Sequence, residues 1–156
     1  MTWKRYVPWV LLCEGVGALS GWLSREGFRA YGTGAVPKPP LSPPGWVFPV
    51  VWAVLFALMG TGAAQVSRTA KGPQRDRAML FFLLQLAANF CWPLLFFRLR
   101  WSGAALIWLA VLWGLILVMT LAFRRVCRTA AALQIPYLLW TAFALYLNWG
   151  VWRMSR

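Results

Sequence analysis

The chain is 156 residues long, 61% hydrophobic and only 12% charged, with 16 Lys and Arg against 3 Asp and Glu. Soluble domains carry roughly 25% charged residues, so this composition excludes an ordinary water-soluble enzyme and a disordered chain. The net charge of +13 is spread in short clusters between apolar runs, so the expected partner is anionic lipid and not nucleic acid.

Five apolar segments run along the chain: Tyr6–Leu23, Trp46–Val66, Ala78–Phe97, Gly103–Phe123 and Ile135–Trp152. Each is near the ~20 residues that a helix needs to cross hydrocarbon. They lack the alternation of transmembrane strands, which are also only ~9–11 residues long. The expected fold is therefore an all-α membrane protein. It is a single bundle of five transmembrane helices in the lipid bilayer, with a long Pro-rich loop between helices 1 and 2.

The first segment begins like a signal peptide, with Lys4 and Arg5 before an apolar stretch. Glu14 interrupts that stretch and Trp22-Leu23 stand where a cleavage site belongs, so a retained helix is expected. Glu14 is costly inside hydrocarbon. It reads either as a proton or cation site or as an interhelical hydrogen bond of the neutral acid. Gly17 and Gly21 form a Gly-x-x-x-Gly pair that permits a close helix approach, within the chain or between two copies.

The stretch from Ser24 to Gly45 does not read as a helix, and Pro37 to Gly45 holds five prolines in nine positions. Proline fixes φ and lacks an N–H, so this is a stiff strap. Lys38, Pro43 and Pro44 are its candidate lid residues over one membrane face, and a plain spacer is the alternative.

The second and fifth segments carry aromatic stripes: Phe48, Trp52 and Phe56, then Trp140, Phe143, Ala144 and Leu147. On the third segment Gln85, Asn89 and Trp92 share one helix face. Aromatic stripes usually pack or anchor, but oriented amides beside them are what a flat hydrophobic ligand needs. Among the 12 tryptophans, Trp3, Trp9, Trp22, Trp101, Trp149 and Trp152 fit interfacial belts. Trp52, Trp92, Trp108, Trp113 and Trp140 lie inside their segments, where a belt does not explain them.

The chain has no histidine, which removes the commonest general base and metal ligand. Cys13, Cys91 and Cys127 show no metal or disulfide spacing and read as packing residues. No cofactor, metal site or catalytic residue is expected. An odd helix count puts the termini on opposite sides, with nine basic residues facing seven, too even to fix orientation.

Three ordered stretches resemble the TspO/MBR family, also known as translocator proteins, tryptophan-rich sensory proteins or peripheral benzodiazepine receptors. The first runs from Lys38-Pro39 through Pro43-Pro44-Gly45-Trp46-Val47-Phe48-Pro49 to Trp52. The second is Gln85-Leu86 with Asn89, Trp92 and Phe96-Phe97. The third is Pro136-Tyr137-Leu138 with Trp140, Phe143-Ala144 and Leu147-Asn148. The resemblance implies a five-helix bundle, a homodimer, in a bacterial membrane. It also implies binding of porphyrins, sterols or benzodiazepine-type drugs between helices 2, 3 and 5 beneath the first loop. By matching position, Trp52, Asn89, Trp140 and Ala144 would line that pocket, with Phe48, Trp92, Phe143, Leu147 and Gln85 around them.

Three places in the chain depart from the family pattern. Pro40 and Leu41 stand where the strap usually carries a tryptophan, Pro93 follows Trp92, and Trp149 stands where a sterol-recognition pattern has tyrosine. Pro93 is expected to kink or loosen its helix. The leading expectation is a receptor or carrier for flat hydrophobic ligands, tetrapyrroles first, with propionates meeting Lys38, Arg25 or Arg29. Haem would be held without an axial histidine. The alternatives are a light-dependent porphyrin-degrading enzyme using Trp52, Trp92 or Trp140, and a small transporter using Glu14.

Overall fold

A computed structural model describes residues 3–34, 38–69 and 71–155 of the chain. Among these residues the structure is all-helical. It runs α1 (Trp3–Leu23), α2 (Arg25–Gly32), α3 (Val47–Ser67), α4 (Pro73–Pro93), a π-helical turn (Leu94–Arg98), α5 (Ser102–Val126), α6 (Arg128–Ala132) and α7 (Ile135–Met154). Five helical stretches are long and apolar enough to cross a membrane: Trp3–Leu23, Val47–Ser67, Pro73–Arg98, Ser102–Val126 and Arg128–Met154.

The broadest helix contacts are α4 with α5, α1 with α3, and α5 with α7. Their shared core is built from large side chains that water and lipid do not reach, among them Met59, Phe82, Leu109, Leu112, Ile116, Met119, Phe123 and Tyr137. α1 is the least covered of the five, with Leu11, Leu19 and Trp22 turned outward. Outward apolar side chains are the normal state of a helix solvated by acyl chains.

Gly60 explains how α1 and α3 come together. A Cβ at this position would stand 2.6 Å from the Val10 Cα and 2.8 Å from the Trp9 carbonyl oxygen. Only a residue without a side chain lets the two backbones meet there. The Gly17 and Gly21 pair does something else. A Cβ on Gly17 would strike the Phe56 ring, and one on Gly21 would meet nothing within 4 Å.

The stretch after Ser24 departs from expectation, because α2 is a helix where a non-helical segment was read. The reason is amphipathic: Phe28 and Tyr31 turn to the bundle while Arg25, Glu26 and Arg29 stay exposed. Gly27 lets α2 sit against the Phe97 carbonyl, where any Cβ would collide. Burial pushes the Tyr31 phenol above its ordinary value, opposed in part by a hydrogen bond with Ser42.

The third span starts earlier than its apolar run, at Pro73, since Pro is accepted in the first turn, Asp76 suits the helix N-terminus, and Gln74, Arg75 and Arg77 are good helix formers. At its other end Pro93 is followed by a π-helical turn, with the Leu99 N–H bonding to the Leu94 carbonyl at 2.8 Å. Proline has no N–H to give the preceding turn, and the ladder re-forms with a wider pitch.

Replacing Gly60 by Val is expected to force α1 off α3 and cost about 1–3 kcal/mol of stability. Gly15→Ala, where the added carbon meets nothing within 4 Å, is expected to cost far less. Thermal unfolding of the detergent-solubilised protein, followed by circular dichroism, measures both.

Candidate functional site

A cavity of about 570 Å³ opens between α1, α2, α3 and the end of α4. One wall is the α1 face Glu14, Gly17, Ala18 and Gly21, which recur at helical spacing. The opposite wall is aromatic: Phe48, Trp52 and Phe56 from α3, Trp92 from α4, and Phe97 from the π-helical turn. α2 closes the end with Arg25, Phe28 and Arg29, and Asn89 supplies an amide from α4.

The rings form one connected cluster. Trp92 stacks on Phe96 at 5.2 Å and 15°, and Trp52 lies 6.4 Å from Trp92. Phe28 meets Phe97 edge-on at 5.5 Å and Phe48 at 6.2 Å. Edge-to-face pairs of this kind hold ring orientation as well as burying area, so the wall keeps its shape without an occupant.

Behind the wall is a buried polar network. The Asn89 amide donates to the Tyr137 hydroxyl, which donates to the Gln85 Oε1 at 2.8 Å. The Gln85 Nε2 donates in turn to the Phe82 carbonyl at 3.0 Å and meets the Met59 sulfur at 3.2 Å. The Trp92 indole donates to Asn148 at 3.0 Å, and Asn148 donates to the Ser102 carbonyl at 2.8 Å. Sequence reasoning placed Tyr137 only within a motif. Its role as the hub between two amides needed the α4–α7 pairing, which periodicity along one helix does not reveal.

The interior tryptophans find their explanation in the same way. Trp108 donates its indole N–H to the Ala88 carbonyl at 2.8 Å, and Trp113 to the Leu138 carbonyl at 3.1 Å. They are ties between helices. The Trp140 N–H is buried and has no acceptor among the described residues.

The candidate residues thus divide. Trp52, Asn89, Phe48 and Trp92 line the cavity. Gln85 is fully buried behind it and committed to its neighbours. This cavity lies between the first three spans. Trp140 stands on the far side of Phe48, ring centroids 5.8 Å apart, and packs on Phe143. Ala144 and Leu147 are buried in the α7 packing face and do not line the cavity. α7 packs on α5 and reaches α4 through the Asn89, Tyr137 and Gln85 side-chain bonds.

The strap lies against α7. Its first residue, Pro37, is outside the described residues. Beyond it, Pro39 rests against Gly150 and the Tyr146 hydroxyl donates to the Pro40 carbonyl at 2.6 Å, which fastens the strap to α7. Lys38 sits over the Tyr31 ring at 4.6 Å. Lys38, Pro43 and Pro44 do not line the cavity, and α2 covers it in their place. Phe28, Gly17 and Ala18 are lining residues that the sequence reading missed. The spacing of Glu14, Gly17, Ala18 and Gly21 was the signal available for the α1 face.

Chemically, the lining offers aromatic rings, one amide, a half-buried carboxyl and two guanidiniums at the covered end. No cluster of metal-ligating side chains occurs among the described residues. The lining is mostly apolar and aromatic, with few polar groups. Tyr137→Phe is expected to leave the Gln85 Oε1 and an Asn89 N–H unpaired in the core and to cost about 1–3 kcal/mol. Thermal unfolding against the wild type measures it, and an unchanged midpoint would contradict the network's role.

A family model described as the TspO/MBR family matches residues 9–153. The chain is 37% identical to the tryptophan-rich protein TspO of Chlorobaculum tepidum over 145 residues, covering 92% of this chain and 91% of that protein. It is 36% identical to the translocator protein of Bos taurus over 154 residues, covering 97% and 90%. With the tryptophan-rich sensory protein of Cereibacter sphaeroides it shares 34% identity over 118 residues, covering 76% and 73%. The match reaches from α1 to the end of α7 and includes every element around the cavity. The chain is an integral membrane protein and belongs to the TspO/MBR family.

Proposed function

We propose that the protein is a membrane receptor or carrier for flat hydrophobic molecules, tetrapyrroles first, held in the cavity between α1, α2, α3 and α4. The observation that carries this reading is the aromatic wall of Phe28, Phe48, Trp52, Phe56, Trp92 and Phe97 around a space of about 570 Å³. Ligand sites are concave, mostly apolar and of ~300–1,000 Å³, with a few polar groups to fix orientation. Asn89 is the orienting amide. It spends one N–H on Tyr137, and an amide has four hydrogen-bonding positions.

A porphyrin ring would stack on Trp52 and Trp92, with its propionates directed to Arg25 and Arg29. Arg and carboxylate pair well at a membrane surface because both partners stay near water. α2 is the cover in this reading. The strap holds α7 in place and acts on the site only through the elements it fastens.

The test is a titration of the purified, detergent-solubilised protein with protoporphyrin in the dark, read by quenching of tryptophan fluorescence. Saturable quenching is expected. Trp52→Ala and Phe28→Ala should each weaken binding about tenfold or more, the loss of ~1.4 kcal/mol of ring contact. Trp140→Ala, on the far side of Phe48, should change it threefold or less. Quenching that never saturates, or an effect of Trp140→Ala larger than that of Trp52→Ala, would contradict the proposal.

A further inference from the structure

Pro93 breaks α4 beside the cavity, and the break takes the usual donors away from two backbone carbonyls. In an α-helix the carbonyl of residue 89 receives the N–H of residue 93, and proline has none. The carbonyl of Phe90 loses its ladder partner as well, because the Leu94 N–H turns to the Cys91 carbonyl. Phe90 is compensated from another helix: Ser20 of α1 donates its hydroxyl to that carbonyl at 2.7 Å. The Asn89 carbonyl receives no such bond from a side chain or from another element among the described residues. In hydrocarbon a backbone acceptor left bare is costly.

The direction of this carbonyl brings it to the cavity. A helix carbonyl points toward the residue four places on, so the oxygen lies between Asn89 and Pro93 on their shared face. Asn89, Trp92 and Pro93 all line the cavity. The donors nearby are already spent. The Asn89 amide donates to the Tyr137 hydroxyl and the Trp92 indole to Asn148. Of the lining hydroxyls, Ser20 is taken by Phe90 and Ser24 donates to the Ser20 carbonyl at 2.8 Å. This part of the lining therefore holds an acceptor whose donor has to come from outside the chain.

We infer that the Asn89 backbone carbonyl, freed by Pro93, receives a hydrogen-bond donor from the ligand. Among flat hydrophobic molecules the cavity then favours those that carry an N–H or O–H on their edge. This rests on the cavity being the ligand site and adds the functional group that it selects. A molecule of the same shape without the donor would bury the acceptor unpaired, which is how a polar site rejects an apolar analogue. Carboxylates of a ligand meet Arg25 and Arg29 on α2, while this acceptor belongs to α4, so the two preferences address different parts of one molecule.

Two probes of nearly one shape test it, 1-aminopyrene and 1-methylpyrene. Both are uncharged at neutral pH, and only the amine has N–H donors. Binding to the detergent-solubilised protein is read by energy transfer from tryptophan to pyrene, with protein-free micelles subtracting partition. Protoporphyrin is titrated alongside. The wild type is expected to bind 1-aminopyrene about fivefold more tightly than 1-methylpyrene, the worth of one hydrogen bond. Pro93→Ala returns an N–H to the ladder and is a better helix former. In that variant the two affinities should fall within about twofold of each other. Equal affinities in the wild type, no binding of either pyrene, or a preference that survives in Pro93→Ala each overturn the inference. Saturable protoporphyrin binding in those cases leaves the receptor reading standing, and its absence removes that reading too.

Discussion

In hydrocarbon an amide or hydroxyl has no water to bond with, so the polar side chains of this bundle must satisfy one another. Gln85, Asn89 and Tyr137 do so across α4 and α7, and Trp92 and Asn148 do so one turn away, with Asn148 reaching back to the Ser102 carbonyl. Each bond is modest, about 1 kcal/mol net. The cost of leaving one group unpaired is larger, and it gives α4 and α7 one register. Trp108 and Trp113 extend the same device to α5 through indole N–H bonds to helix carbonyls.

α1 stands outside this network. Its ties include the backbone approach at Gly60, the Ser20 bond to the Phe90 carbonyl and the edge-on contact of Trp9 with Phe82. Ala18 and Gly21 line the open space beside α1, while Gly17 lies against the Phe56 ring. The aromatic wall faces that space because its rings are already braced from behind: Trp52 by Tyr137 at 6.2 Å, and Trp92 by Phe96. A braced aromatic wall opposite the small residues of α1 is the geometry on which the proposed binding of a flat molecule rests. α2 adds the one part of the site that combines apolar contact with positive charge.

Much of this was legible in the sequence. Five apolar runs of spanning length and the absence of alternation lead directly to the bundle. The α3 stripe and the Asn89–Trp92 face predict one wall of a cavity, and Trp52, Phe48, Asn89 and Trp92 line it. What the sequence did not disclose depends on which helix faces which. Trp140 and Ala144 have the same local signature as Trp52, yet α7 spends its face on packing and on the Tyr137 bonds. The helical nature of α2 was hidden by the prolines that follow it, although Phe28 and Tyr31 carry the periodicity. The fastening of the strap by Tyr146 and Gly150 joins residues more than a hundred positions apart, beyond any local pattern.

The central claim is the location of the ligand, beside α1 and against Trp52. An experimental structure of the protein with protoporphyrin bound tests it most directly. Ring density between Gly17 and Gly21 of α1 and the Trp52 and Trp92 rings, with propionates toward Arg25 and Arg29, is the result the account predicts. Density between α3 and α7 against Trp140 and Ala144, with the α1 side unfilled, would contradict it.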